Sequence, residues 1–462
     1  MSTPWNRLLS GLSFCVVCGV AASAWAQGTG NGNQNNNNNN ASGIVISPEG
    51  LLSGVASSDA GGGLDKKRRA ALAAKSTGGD WMRASECRKV SLNRLETAWA
   101  EARTTGKDIP IDMVQVAGLQ RIDFLFVLPE SRELVIAGPA EGCVPDAVGR
   151  MVGVESGRPA LRLEDFYVVW QALDGARMVG CSIDPDPERL AALERFLAQN
   201  SSGATIDIVE SRYRRMPEIL GLQNVRVDGV PADSHIGAVL VEADWRMKRI
   251  SLGLENPGVK GLRSHLAMLG GGGNSLQRWY FVPFFDELLR SDDGLAYAFK
   301  GQRAQLVSQE EMTDATGQRS SASTTRMSTQ AFAKQFTQRF PDLANRSPVF
   351  AELQNVIDWT LIAALIRRDG LADKAGWAME VFSDPEQSSY SRGNAPRSVA
   401  SLVNAKRAGN MVIGLVGGGV VISPRSLLRS DAWKPESGER LEGQRAAAAE
   451  AKRSAEHSWW WD

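Results

Sequence analysis

The sequence predicts an α+β protein, and three observations carry that prediction. Short β-branched or aromatic runs bounded by turn residues recur along the chain, as at 44–46, 122–128, 133–137 and 179–183. Among them stand segments whose apolar residues repeat at helical spacing, most clearly at 234–252 and 348–367. The composition, 43% hydrophobic and 23% charged over 462 residues, is that of a globular chain with room for two or three domains.

The chain opens on an address. Arg7, the apolar run from Leu8 to Ala22 and the small-x-small triplet Ala24-Trp25-Ala26 predict an export signal cleaved between Ala26 and Gln27. Phe14 and Val17, not small residues, precede Cys15 and Cys18, so lipid attachment is not expected. Residues 27–42 are almost entirely Gly, Asn and Gln, which bury nothing, and predict a disordered tether. Beyond the signal no segment reaches the roughly 18 unbroken apolar residues of a membrane span. The mature chain is therefore expected in the periplasm or outside the cell. It keeps Cys87, Cys143 and Cys181. An exported compartment permits disulfides, and Cys143 with Cys181, each beside a predicted strand, is the candidate pair. Three unpaired, mostly buried thiols are the alternative.

Residues 43–200 read as an N-terminal α+β domain. Gly43 to Leu52 is a strand followed by a Ser-Pro turn, and the pattern returns at Gly419 to Leu428 with seven of ten positions identical. The two are expected to be equivalent strand–turn units that could share a sheet. Helices are predicted over 64–75, with Lys66-Lys67-Arg68-Arg69 as a solvated face, and over 91–104. Residues 121–128 and 133–137 form a hairpin, 164–174 a helix and 179–183 a strand. Asp186-Pro187-Glu188 then opens a helix, with Asp as N-cap, Pro at the first position and acid in the first turn.

Residues 201–385 read as a helical domain with a small antiparallel sheet. A helix capped at Asp233-Ser234 runs to about Leu252. Segments 279–283, 295–300 and 303–308 form a meander, and a helix over 348–367 has Ser347 as its expected N-cap and Pro348 at its first position. Trp377 to Phe382 is strand-like. Residues 386–462 hold a loop, a hairpin whose turn is Gly417-Gly418-Gly419, and a helix over 441–457.

Lys+Arg and Asp+Glu are both 52, so no global field favours nucleic acid as a partner. Three histidines leave little from which to build a zinc site or a Ser-His-Asp triad. None of the strings G-x-S-x-G, H-E-x-x-H or G-x-x-x-x-G-K-[ST] occurs, and no cofactor is expected. His235 lies near Asp233, with Glu242 and Arg246 on one helix face; this is a general base with an orienting carboxylate, or a polar face with ion pairs. His265 precedes the glycine run 270–273, read as a linker, and His457 is read as solvated. Asp184, Asp186 and Glu188 alternate as calcium ligands could, but Pro185 and Pro187 stiffen the segment and Asp186 is needed as a cap. Trp459, Trp460 and Trp461 point about 100° apart on a helix and cannot all face its core. They are the candidate interaction surface, with folding back onto a groove or a disordered end as the alternatives.

Several blocks go together: Lys89-Val90-Ser91-Leu92-Asn93-Arg94-Leu95-Glu96, Ala117-Gly118-Leu119-Gln120-Arg121-Ile122, Ala137-Gly138-Pro139-Ala140-Glu141-Gly142, Cys181-Ser182-Ile183-Asp184-Pro185 and Glu242-Ala243-Asp244-Trp245-Arg246-Met247-Lys248. In these the chain resembles an uncharacterised family of secreted planctomycete proteins built on a domain of unknown function. The resemblance centres on 80–200, with similar blocks to about 368. It implies export and the domain division, and it carries no activity. The expectation is an exported binding or assembly protein of the cell envelope, acting on an envelope protein or surface. The alternative is an envelope hydrolase using carboxylates in a cleft between the two main domains, with Glu141, Asp165 and Asp184 as the first candidates.

Overall fold

In the computed structural model the described residues are 40–57, 62–76, 79–200, 206–270, 275–313, 319–321, 326–408, 410–436, 439–450 and 460–462. The predicted signal, most of the tether (27–39), His457 and Trp459 lie outside them. Residues 38–462 belong to one compact unit, so the boundaries expected near 200 and 385 fall inside it.

The strands described are, in the first half of the chain, β1 Asn40–Ile46, β2 Leu51–Ser57, β3 Ser85–Ser91, β4 Phe124–Leu128, β5 Glu133–Ala140, β6 Cys143–Pro145, β7 Met151–Gly153, β8 Val179–Pro185 and β9 Leu222–Asp228. Those that follow are β10 Ser275–Phe284, β11 Glu287–Ser291, β12 Ala296–Lys300, β13 Arg303–Thr313, β14 Arg319–Ser321, β15 Ser398–Ala400, β16 Val403–Ala408, β17 Asn410–Ile422 and β18 Trp433–Glu436. Helices of ten residues or more are α1 Gly63–Ala73, α2 Leu92–Thr104, α3 Leu163–Ala172, α4 Pro187–Gln199, α5 Ile206–Leu220, α6 His235–Ser251, α7 Met327–Arg346, α8 Pro348–Asp369 and α9 Glu439–Ala449.

The fold is α+β, as the sequence predicts. A ten-stranded mixed sheet runs β1-β2-β15-β9-β8-β17-β10-β13-β14, with β16 paired to β17; a six-stranded sheet runs β18-β11-β12-β4-β5-β3. The hairpin β4–β5 shows the expected period of two. Leu125, Val127, Leu134 and Ile136 enter the main core, while Phe126, Leu128, Val135 and Ala137 face the other way, where Leu441 and Ala448 of α9 cover them. Two of the three predicted caps form: Asp186 accepts from the Glu188 and Arg189 amides at 2.9 and 3.2 Å, and Ser234 Oγ from the Gly237 amide at 3.2 Å, whereas Ser347, at the N-cap position of α8, makes no side-chain capping bond. Helix α8 is long and apolar enough to cross a membrane, and its most apolar stretch lies wholly buried in the fold. Glu352 and Asp358 interrupt that helix, six residues and hence about 120° apart, so one helix reaches ionic partners on two sides.

Several expectations are corrected. The meander divides between sheets: β10 and β13 pair in the larger one, while β11 and β12 pair in the smaller. Gly417-Gly418-Gly419 is no hairpin turn but the middle of the continuous strand β17, which passes between β8 and β10. A Cβ on Gly418 would lie 1.9 Å from the Trp279 carbonyl oxygen, and one on Gly419 1.8 Å from that of Cys181. The glycines are there for close backbone approach, and Gly418 also sits at φ +114°.

Residues 43–52 and 419–428 do share a sheet, but in different settings. β1 turns directly into β2 at its edge, with Gly50 at φ +86°. β17 is internal and Pro424–Leu427 is a helical turn; there Ser426 stands where the first copy has Gly50. Trp377 to Phe382 is a turn rather than a strand, with Met379 at φ 54°. Glu96 holds it, accepting from the Val381 and Phe382 amides at 2.8 and 2.7 Å and from the Trp377 indole. Arg69, expected on a solvated face, is buried and donates to the Val154 carbonyl.

Candidate functional site

Two sets of side chains have the density of charge that chemistry or recognition needs. The first is a buried ionic chain among α3, α6 and α8. His235 Nδ1 lies 3.0 and 2.9 Å from the two oxygens of Asp165, and its Nε2 lies 3.5 Å from Glu352 Oε1. Glu352 Oε2 is 3.1 Å from Arg150 Nε, and Arg150 in turn pairs with Glu242. Glu242 faces Arg246 at 3.7 Å, and Arg246 meets Glu255 at 2.8 Å.

Burial opposes charge on His235, but Asp165 outweighs it and the pKa rises to about 9. Burial likewise opposes charge on Glu352, yet Arg150 and His235 pull its pKa down to about 2. Burial dominates at Glu242 and raises it despite Arg150. His235 is thus an imidazolium at neutral pH, clamped between two carboxylates. In that state it has no lone pair to accept a proton, so the general-base reading does not fit. Its orienting carboxylate is Asp165; the nearby Asp233 instead accepts from the Tyr390 hydroxyl at 2.9 Å.

The three carboxylates suspected from the sequence hold different partners. Asp165 belongs to the chain just described. Glu141 accepts from Gln120 Nε2 at 2.6 Å, from the Glu155 amide at 2.8 Å and from the amide and hydroxyl of Ser156, closing the loop after β7. Asp184 pairs with Arg278 at 3.2 Å. Asp186 is engaged as the cap of α4. Among the described residues no group of three or more His, Cys, Asp or Glu is placed to hold a metal ion. A separate buried pair, Asp244 with Lys248 at 2.7 Å, joins α6 to the larger sheet through the Ile183 and Gly418 carbonyls; burial lifts the Asp244 pKa to about 6. His265 is buried edge-on to Trp279, 5.3 Å between ring centroids.

The candidate disulfide is not formed. Cys143 packs with Trp81 and Ala160, Cys181 lies in the main core, and all three described thiols are free. Burial pushes Cys143 and Cys181 up, so neither is a ready thiolate. Of the tryptophans offered as an exposed surface, the two described, Trp460 and Trp461, fold inward. Trp460 is 5% exposed and Trp461 packs against the core. Their backbone extends the edge of the smaller sheet: Ser91 donates to the Trp460 carbonyl at 2.7 Å and Asp462 to that of Lys89 at 3.1 Å. The Asp462 carboxylate meets Lys89 Nζ at 2.6 Å, and Arg88 lies over the Trp461 ring at 4.9 Å. The apolar area of the indoles is spent covering an otherwise open strand edge.

The second set lines a cavity of about 250 Å³ between the smaller sheet and α9. Its floor is apolar, from Phe124, Leu289, Ala298 and Leu441, and its charged wall comes from Arg121, Asp123, Lys300, Arg303, Glu436 and Arg440. No signal in the sequence joined these residues, because they come from strands and a helix spread over more than 300 positions of the chain.

Residues 181–265 are similar to the family described as "Protein of unknown function (DUF1598)". The match begins near the end of the 80–200 region in which the sequence resemblance centres and runs through β8, β9 and α6. It therefore takes in His235, Glu242, Asp244, Arg246, Lys248 and Glu255. No curated protein and no solved structure matches the chain.

Proposed function

We propose that the chain is an exported binding or assembly protein of the cell envelope. The observation that carries the binding half is the cavity: an apolar floor beneath a charged rim is the usual build of a small-ligand site. Export rests on the Arg7, Leu8 to Ala22 and Ala24-Trp25-Ala26 pattern. The hydrolase alternative finds less support, because Glu141, Asp165 and Asp184 are each committed to other partners and none of them lines the cavity. Intact mass of the protein from the envelope fraction tests export. A chain beginning at Gln27 is expected, and a Met1 species confined to the cytosol overturns it. Crosslinking in cells tests binding, and a defined envelope partner or ligand is expected. Turnover of envelope polymer that disappears in Asp165→Asn would replace the binding reading with the hydrolase.

A further inference from the structure

Resting on that binding reading, we propose that the cavity between the smaller sheet and α9 takes a compact organic anion, a carboxylate carried on a small aromatic or branched body. Most of the charged wall is already satisfied. Arg303 donates to Asp358 at 2.8 Å, to Asp123 at 2.9 Å and to the Ile122 and Gly301 carbonyls at 2.6 and 2.7 Å. Lys300 meets Glu287 at 2.7 Å, and Glu436 accepts from the Leu441 amide at 2.8 Å.

Two groups retain capacity. Arg121, which lines the cavity, grips Asp123 through Nε and Nη2 at 2.7 and 2.8 Å, and its Nη1 has no hydrogen-bond partner among the described residues. Arg440 is exposed and has no ion pair among the described residues. The surroundings reinforce the sign of this demand. Arg158, behind the wall, is held by neutral amides alone, Asn345 at 2.7 Å and Gln354 at 2.6 Å. Burial, with Arg121 and Arg303 adding repulsion, lowers it to about 10. Asp123 is held by Arg121 and Arg303, while Glu436 has the Leu441 amide as its donor and no cation among the described residues, so Arg121 and Arg440 carry the cationic capacity of the wall.

Two guanidinium groups with spare N–H donors match the oxygens of a carboxylate or phosphate. The apolar floor and a volume of about 250 Å³, below the roughly 300–1,000 Å³ of drug-sized sites, select a short apolar body behind the charge.

Isothermal titration of the purified protein tests the idea with three probes: sodium benzoate, benzyl alcohol and inorganic phosphate. Saturable one-to-one binding of benzoate is expected, with benzyl alcohol and phosphate each at least about tenfold weaker. Arg440→Gln, at an exposed position, should keep the melting temperature and weaken benzoate about tenfold. Leu441→Gln should weaken benzoate more than phosphate. Benzyl alcohol binding as tightly as benzoate overturns the anion while leaving a binding cavity. Phosphate binding as tightly overturns the apolar body. Absence of benzoate binding, or binding indifferent to Arg440→Gln, overturns the site, and the envelope reading then stands or falls on export and crosslinking alone.

Discussion

His235 is a protonated link between two buried carboxylates, and its removal has a cost that depends on pH. Asp165 lies 2.9 Å from one ring nitrogen and Glu352 3.5 Å from the other. The folded pKa of about 9 stands above the ordinary value of 6.5. A raised pKa gives stability that is fully present below 6.5 and is lost as pH climbs through 9. The difference corresponds to about 3 kcal/mol at 1.36 kcal/mol per unit. His235→Gln should therefore be less stable than the natural protein by about 3 kcal/mol at pH 6. That gap should narrow steadily toward pH 9, where the natural protein has surrendered the same proton. The thiols of Cys87, Cys143 and Cys181 are all raised by burial, so they stay protonated in the fold across this range and approach ionisation near its upper end only in the unfolded chain. They are common to both proteins and cancel in the comparison. Urea unfolding followed by tryptophan fluorescence at pH 6, 7, 8 and 9 gives the gap directly. A gap independent of pH would mean that His235 is neutral in the fold, and the ionic chain as described would be wrong.

Gly418→Ala should leave little soluble protein, or cost more than about 4 kcal/mol, since its Cβ would fall 1.9 Å from the Trp279 carbonyl at φ +114°; a near-normal melt would show that β17 can move away from β10. Trp460→Ala should lower the melting temperature, consistent with about 3–5 kcal/mol for losing a buried indole. An unchanged melt with weakened self-association would restore the exposed-surface reading. Lys248→Met should cost about 3–5 kcal/mol by stranding the Asp244 carboxylate, and Asp244→Leu added to it should recover most of that loss. Denaturation midpoints of the two singles and the double decide, and a neutral single would mean water reaches the pair.

What could be read from the sequence is what is decided within a few turns of chain. Asp186 before Pro187 and Ser234 before the α6 stripe specify helix starts because the cap, the orphan amide and the apolar face lie within ten residues of each other. The β4–β5 alternation is legible for the same reason. Local pattern misled where the deciding partner was distant. The glycines of β17 look like a turn until Trp279 and Cys181 are seen pressed against them, and 377–382 looks like a strand until Glu96 is found binding its amides.

The near-repeat at 43–52 and 419–428 shows how small the local difference can be. Gly50 accepts the positive φ of a hairpin, whereas Ser426 sits in a helical turn. In the ionic chain, Asp165 and His235 were each singled out in the sequence but not as partners, and Arg150 and Glu352 were not singled out at all. A usable signal was present in α8, where Glu352 and Asp358 break an otherwise apolar helix, because a carboxylate is stable there only if a cation comes to meet it. Which cation comes depends on contacts spanning 55 to 202 positions, Arg303 to Asp358 and Arg150 to Glu352. The sequence alone determined the elements whose caps and apolar pattern are local, and the need for buried counter-charges; the tertiary structure decided the rest and the pairing, because only packing brings residues so far apart along the chain within a few ångströms.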